Sequence, residues 1–143
     1  MSSDVPSARP PESDRSAYLR VTNGDRGTVL AERVTSANTF FGRFRGLMGR
    51  AELPTGHGLL LDGDNSIHTF FMRFPIDVVF LDRQRRVVHL MHRVAPWRIS
   101  KIIWRARAVL ELPPGTLAST DTRVGDILKL EPRQLPGTGN SLR

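Results

Sequence analysis

Apolar positions along the chain fall into short runs broken by turn residues, and only one stretch carries a helical period. Residues 18–34, YLRVTNGDRGTVLAERV, hold two β-prone runs around NGDRG. Asn and Gly supply the positive φ angles of a tight turn, so a hairpin is expected there. From 35 to 50 the period changes: Phe40, Phe44, Leu47 and Met48 follow helical spacing, Ser36 or Asn38 can cap the start and Gly49 can close the end. This predicts a helix over 37–49, although Gly42 and Gly46 each cost it about 1 kcal/mol of propensity relative to Ala.

Beyond the helix the pattern is again that of strands. GLLL at 58–61 reads as a short buried strand ended by DGDN, and IDVVFL at 76–81 as a strand covered on both faces. Pro75 lacks an amide donor, which places it at a strand start or bend. DRQRR is a turn and VVHLMHRV, 87–94, the return strand, so a hairpin spans 76–94. APWRISKIIWRAR reads as a basic loop over the core edge, with Ile102, Ile103 and Trp104 tucked in. AVLEL is a strand stopped by Pro113, Pro114 and Gly115, and VGDILKL sets a Gly-Asp turn before a final strand. The expected architecture is α+β and β-rich: a curved, mostly antiparallel sheet or partly closed barrel packed against one main helix. Alternating βαβ units are missing, which argues against a parallel doubly wound sheet. Residues 1–16 and 132–143, rich in Pro, Ser, Gly and mixed charge, read as tails flanking one domain over 17–131.

Composition narrows the chemistry. With 143 residues and no Cys, the chain supports one core and excludes disulfides, thiolate metal sites and a cysteine nucleophile. No run approaches the ~18 apolar residues of a membrane span, and the N-terminus lacks the apolar centre of a secretory signal, so a cytoplasmic protein is expected. The net charge is +7, and 19 of the 21 basic residues are Arg. Between Arg83 and Leu110 stand eight basic residues and no acid, which predicts a local basic surface that attracts anions at low salt.

The order of short motifs is itself informative. RGLMGR at 45–50, GLLL at 58–61, IHTFFMRFPIDVVFLD at 67–82, PWR at 96–98, VLELPPGT at 109–116 and VGDILKL at 124–130 follow one another at set separations. In this the chain resembles the bacterial and archaeal proteins grouped as domain of unknown function 192, over roughly residues 28–131. The resemblance implies a β-rich α+β domain and no established activity. Many relatives begin with an export signal or membrane anchor, which this N-terminus does not match.

Candidate chemistry centres on SIHTFFMRFPID, 66–77. Drawn as one strand, it puts Ser66, His68, Phe70, Met72 and Phe74 on one face and Ile67, Thr69, Phe71 and Arg73 on the other. A bend is then needed to bring His68 and Met72 to one ligand. His68 can serve as a general base or a ligand, as imidazoles do, Arg73 can hold a carboxylate or phosphate, and Asp77 can orient His68 or pair with Arg73. Two readings compete. In one, Arg73 and Asp77 form a buried pair that fixes the Pro75 bend, with His68 bonded in the core. In the other, His68, Met72, Arg73 and Asp77, bordered by Trp97 and Arg98, form a binding site for an anionic small molecule or peptide segment. A hydrolase-like enzyme with His68 and Asp77 as acid–base pair is the alternative. Low-specificity nucleic-acid association through Arg85, Arg86, Lys101, Arg105 and Arg107, with Trp97 and Trp104 interleaved, is a third. The tryptophans can equally cap the core. The DGDN turn is no calcium loop, because Ile67 stands where the loop needs Gly and Arg73 where it needs Glu. No metal or other cofactor is expected from four scattered histidines, His57, His68, His89 and His92.

Overall fold

β1 (Tyr18–Asn23) and β2 (Thr28–Ala37) form the expected hairpin, paired antiparallel with Asn23 opposite Thr28. The computed structural model describes residues 18–37, 53–70 and 72–133. The two predicted tails and, apart from Ala37, the predicted helix over 37–49 lie outside the described residues. Ala37 itself ends β2.

Five further strands follow: β3 (His57–Asp62), β4 (Ile76–Leu81), β5 (Val87–Val94), β6 (Ala108–Leu112) and β7 (Leu128–Arg133). One helical turn, α1 (Thr116–Ser119), joins β6 to β7. The seven strands make one sheet in the order β5-β4-β6-β3-β2-β1-β7. Every pair is antiparallel except β2–β3, which runs parallel with Arg33 opposite His57. The 76–94 hairpin is present as β4–β5, and the Gly-Asp turn precedes β7, which runs to Arg133 and so enters the expected C-terminal tail.

The sheet is not closed by a continuous ladder, but it curls until its two edge strands meet at one corner. There Arg86 bridges Ile127, the Val87 amide donates to the Asp126 carbonyl at 2.8 Å, and the Leu128 amide donates to the Arg85 carbonyl at 3.0 Å. Curling follows from burial. All seven strands send side chains into one apolar cluster, including Val21, Val34, Leu60, Val79, Val87, Leu110 and Leu128. A twisted sheet can bury one face against itself only by bending around it. Gly58 makes the central contact possible: a Cβ there would meet the Glu111 carbonyl at 3.0 Å and Val34 at 3.2 Å.

The central strands β3, β4 and β6 also bury their other face. Leu59, Leu61, Ile76, Val78, Phe80 and Val109 form a second cluster on it. All six positions of β4 are buried, as its unbroken apolar run predicts. Two long connections, 63–75 between β3 and β4 and 95–107 between β5 and β6, supply the cover. Leu53, Ile67, Met72, Phe74 and Ala106 pack into the second cluster, with half-buried Ile103 against it.

Candidate functional site

Asp77 is the buried end of SIHTFFMRFPID. It lies on β4, wholly buried, on the side of Val79 and Leu81. Its Oδ1 accepts the Arg93 amide at 2.8 Å; its Oδ2 accepts the amides of Gly115 at 3.1 Å and Leu117 at 2.9 Å. A carboxylate held in an apolar core needs such donors, because an unmet buried charge is costly. Asp77 thereby ties β4 to the end of β5 and to the turn that opens α1, where Gly115 adopts φ 93°. The Pro113-Pro114-Gly115 stop is thus wired into the core by a residue 38 positions earlier.

Neither expected partner reaches this carboxylate. Among the described residues no hydrogen bond or ion pair joins Asp77 to Arg73 or His68. The expected Arg73–Asp77 pair is replaced by three backbone donors, and Arg73 is exposed. The physical reason is reach: Pro75 turns the chain into β4, so Asp77 points into the curled face, while Ile67, Met72 and Phe74 pack on the opposite one.

That segment is not a strand. Its one ladder contact is an isolated antiparallel bridge from His68 to Ile99, and around it the two long connections bind each other. The Ile67 amide donates to the Ser100 hydroxyl and the Ser100 amide to the Ile67 carbonyl, both at 2.9 Å. Thr69, wholly buried, exchanges backbone bonds with Arg98 and Trp97, and its hydroxyl donates to the Ala95 carbonyl at 2.8 Å. The Ile103 amide donates to the Asn65 carbonyl at 2.8 Å. The described residues of 65–72, together with 95–107, therefore make one improvised layer laid across the sheet.

The inner side of this layer is the apolar cover already described. Its outer side presents His68, half-buried, with Phe70 at 5.0 Å between ring centres. Phe70 stacks on Trp97 at 5.8 Å and 29°. Trp97 sits at φ 65°, a region that costs an L residue about 1–2 kcal/mol, and its amide is held by the Thr69 carbonyl at 2.9 Å. Beyond them stand Ile99, Ile102 and Trp104, whose exposures of 71%, 46% and 76% exceed that of Phe70 at 39%. The expectation that Ile102, Ile103 and Trp104 tuck in holds only in part. The bond to Asn65 turns Ile103 inward, and its neighbours on either side point out. Trp97, at 58% exposure, does not cap the core either.

The six proposed ligand contacts therefore divide. Met72 is buried in the second cluster and Asp77 in the Gly115 corner, while His68, Trp97 and Arg98 share the outer layer and Arg73 is exposed. The basic residues also scatter. Arg85 lies 3.8 Å from Asp62, Arg86 donates to the Gly125 carbonyl at 2.9 Å, and Arg107 donates to the carbonyls of Trp104 and Ala106. Lys101 and Arg105 are exposed on the 95–107 connection. Burial pulls the pKa of His89, whose ring centre lies 5.4 Å from that of Phe80, below its ordinary value, and the positive charge of Lys101 adds to this.

A second buried carboxylate, not singled out as a site, closes the corner where the sheet edges meet. Asp126 accepts from Asn23 Nδ2 at 2.9 Å, Arg26 Nε at 3.1 Å and the Arg123 amide at 2.9 Å. Burial opposes its charge, but the bonds from Asn23, Arg123 and Arg26 outweigh burial and hold its pKa below the carboxylate range. Asn23 also accepts the amides of Asp25 and Arg26, so the NGDRG turn and the Gly-Asp turn form one polar knot. The sequence carried both turns but no sign that they meet.

The described residues thus define a curled, mostly antiparallel seven-stranded domain with a loop layer on one face. The chain belongs to the domain of unknown function 192 family, described as an uncharacterised ACR, whose model matches residues 20–130. A UPF0127 protein of Thermococcus sibiricus is 38% identical over 113 residues, covering 76% of this chain and 73% of its own. A Novosphingobium aromaticivorans protein of unknown function, solved by crystallography, matches with a TM-score of 0.67 at 24% identity, covering 90% of this chain and 98% of its own. A Sinorhizobium meliloti protein described as a candidate transcription regulator matches with a TM-score of 0.66 at 24% identity, covering 80% and 93%. At these identities the two structures speak for the fold alone. The family is one of uncharacterised function, and among the described residues no helix is long and apolar enough to cross a membrane.

Proposed function

We propose that the protein is a small, non-enzymatic binding or accessory domain, the expected 17–131 unit extended by β7 to Arg133, that takes an anionic partner on the outer side of the loop layer. The observation that carries this reading is the concentration of exposed apolar side chains beside cations on a layer whose inner side is already committed to the core. Of the site first drawn around SIHTFFMRFPID, His68, Trp97 and Arg98 stay in the contact face, joined by Phe70. Asp77 and Met72 serve beneath it by fixing the corner and the core. Acid–base catalysis by His68 and Asp77 gains no support, since three backbone amides occupy the Asp77 carboxylate. The expected main helix over 37–49, without Ala37, and cytoplasmic placement belong to the same proposal.

Both tryptophans of the chain, Trp97 and Trp104, lie on this layer, so tryptophan fluorescence excited apart from that of Tyr18 reports it alone. The full chain is titrated with four defined probes: inorganic phosphate, an acidic peptide, a single-stranded oligonucleotide and lipid vesicles. A saturable shift in emission with at least one probe, lost in Trp97→Ala with Phe70→Ala, is the expected result. No shift with any of them would sink the reading.

A further inference from the structure

We infer that the outer side of the loop layer docks onto an anionic lipid surface. The inference rests on the reading above, that this layer is the contact face, and adds the chemistry of the partner. A layer that covers a sheet needs one apolar side and normally turns polar groups to water. This one is apolar on both. Its inner side carries Ile67, Met72 and Ala106. Its outer side carries Phe70, Trp97, Ile99, Ile102 and Trp104, which are five of the eight exposed large apolar residues among those described. A concentration of that kind marks a surface that is covered in use.

Charge and side-chain type then choose the cover. Arg98, Lys101 and Arg105 alternate with the apolar residues in WRISKIIWR, none of the three takes part in an ion pair among the described residues, and no acid occurs between 83 and 110. The partner is therefore anionic. Single-stranded nucleic acid would satisfy the cations and stack on the rings. It offers nothing, however, to Ile99 and Ile102, which are branched, have no π face and gain only by leaving water. Phe70 and Trp97 are moreover stacked on each other. A lipid surface uses every member of the set. Indole rings settle at headgroup depth, the isoleucines enter the acyl boundary, and the flexible cations extend to the phosphates. Among the described residues no helix spans a membrane, so this contact would be peripheral.

The test is co-sedimentation of the full chain with vesicles of phosphatidylcholine alone and of phosphatidylcholine mixed with phosphatidylglycerol, at low and high salt. Binding to the anionic vesicles, weakened by salt and accompanied by a blue shift of tryptophan emission, is expected. Neutralising Lys101→Gln with Arg105→Gln should weaken it about tenfold or more. Trp104→Ser with Ile99→Ser should weaken binding and leave only the smaller blue shift of Trp97. Val29→Ser, an exposed apolar change on β2, is the folding-neutral control and should bind as the parent chain does. Equal binding to both vesicle types, no binding to either, or equal loss in the Val29 variant would overturn the proposal. If the oligonucleotide or the acidic peptide shifts the tryptophans while vesicles do not, the lipid surface is wrong and the contact face stands. Silence from every probe removes both.

Discussion

Asp77 and Trp104 sit at the two extremes of how this protein treats a side chain that does not suit its surroundings. Asp77 is a carboxylate in an apolar core, and three backbone donors leave none of its charge unmet. Trp104 is a large apolar ring in water, and nothing in the described structure covers more than a quarter of it. The first mismatch is resolved inside the fold, so it reads as structural. The second is left open by the fold, so it reads as contact surface. A polar residue in an apolar motif is thus a weaker pointer to function than an apolar residue left outside.

The largest effect is expected at Asp77. Asp77→Ala leaves the buried Leu117 amide and the part-buried amides of Arg93 and Gly115 without their acceptor, and should cost about 3 kcal/mol in urea unfolding. Asp77→Asn keeps one acceptor oxygen and should cost less. A near-neutral Asp77→Ala would break the contrast, since the corner would then be free to do something else. Asp126 comes next. Asp126→Ala removes bonds to Asn23, Arg26 and the Arg123 amide and should cost about 1–2 kcal/mol. Its folded pKa lies below its unfolded one, so its contribution is complete above the ordinary carboxylate range and is lost as pH falls through the folded value. Acid titration of stability should therefore flatten in Asp126→Ala, and an unchanged acid limb would show that the knot is not charged. The smallest effect is expected on the open face. Trp104→Ser and Ile99→Ser should change stability by less than about 0.5 kcal/mol, because neither side chain is packed. A loss near that of Asp126→Ala would mean that the face is covered from within, and the contrast with Asp77 would collapse.

Much of the frame was legible in the chain. The hairpin at NGDRG, the doubly covered strand 76–81, its return strand and the stop at Pro113-Pro114-Gly115 all rest on local chemistry: turn residues with positive φ, an unbroken β-branched run, a missing amide donor. Local signals of that kind act over a few residues and survive any packing. Those signals did not carry which distant residues meet: Asp77 pairs with neither Arg73 nor His68, although His68 does lie beside the Trp97–Arg98 segment. SIHTFFMRF alternates like a strand, yet Pro75 and the neighbouring 95–103 connection hold it as a loop with a single bridge at His68. Met72 shares that motif with His68 but faces the core beneath it.

By itself the sequence determined the strand-rich class, the turns, the lack of thiol chemistry and the basic run between 83 and 110. It also marked SIHTFFMRFPID as the place where polar and apolar residues are mixed. Only the tertiary structure decided that Asp77 belongs to the Gly115 corner, that Asp126 ties the two sheet edges together, and that Trp97 and Trp104 face outward. The physical reason is the range of the forces involved. Turn and strand preferences are written within a few neighbouring residues. The direction in which a loop side chain points is set by the backbone bonds its segment makes to another segment about 30 positions away, as Thr69 does with Arg98.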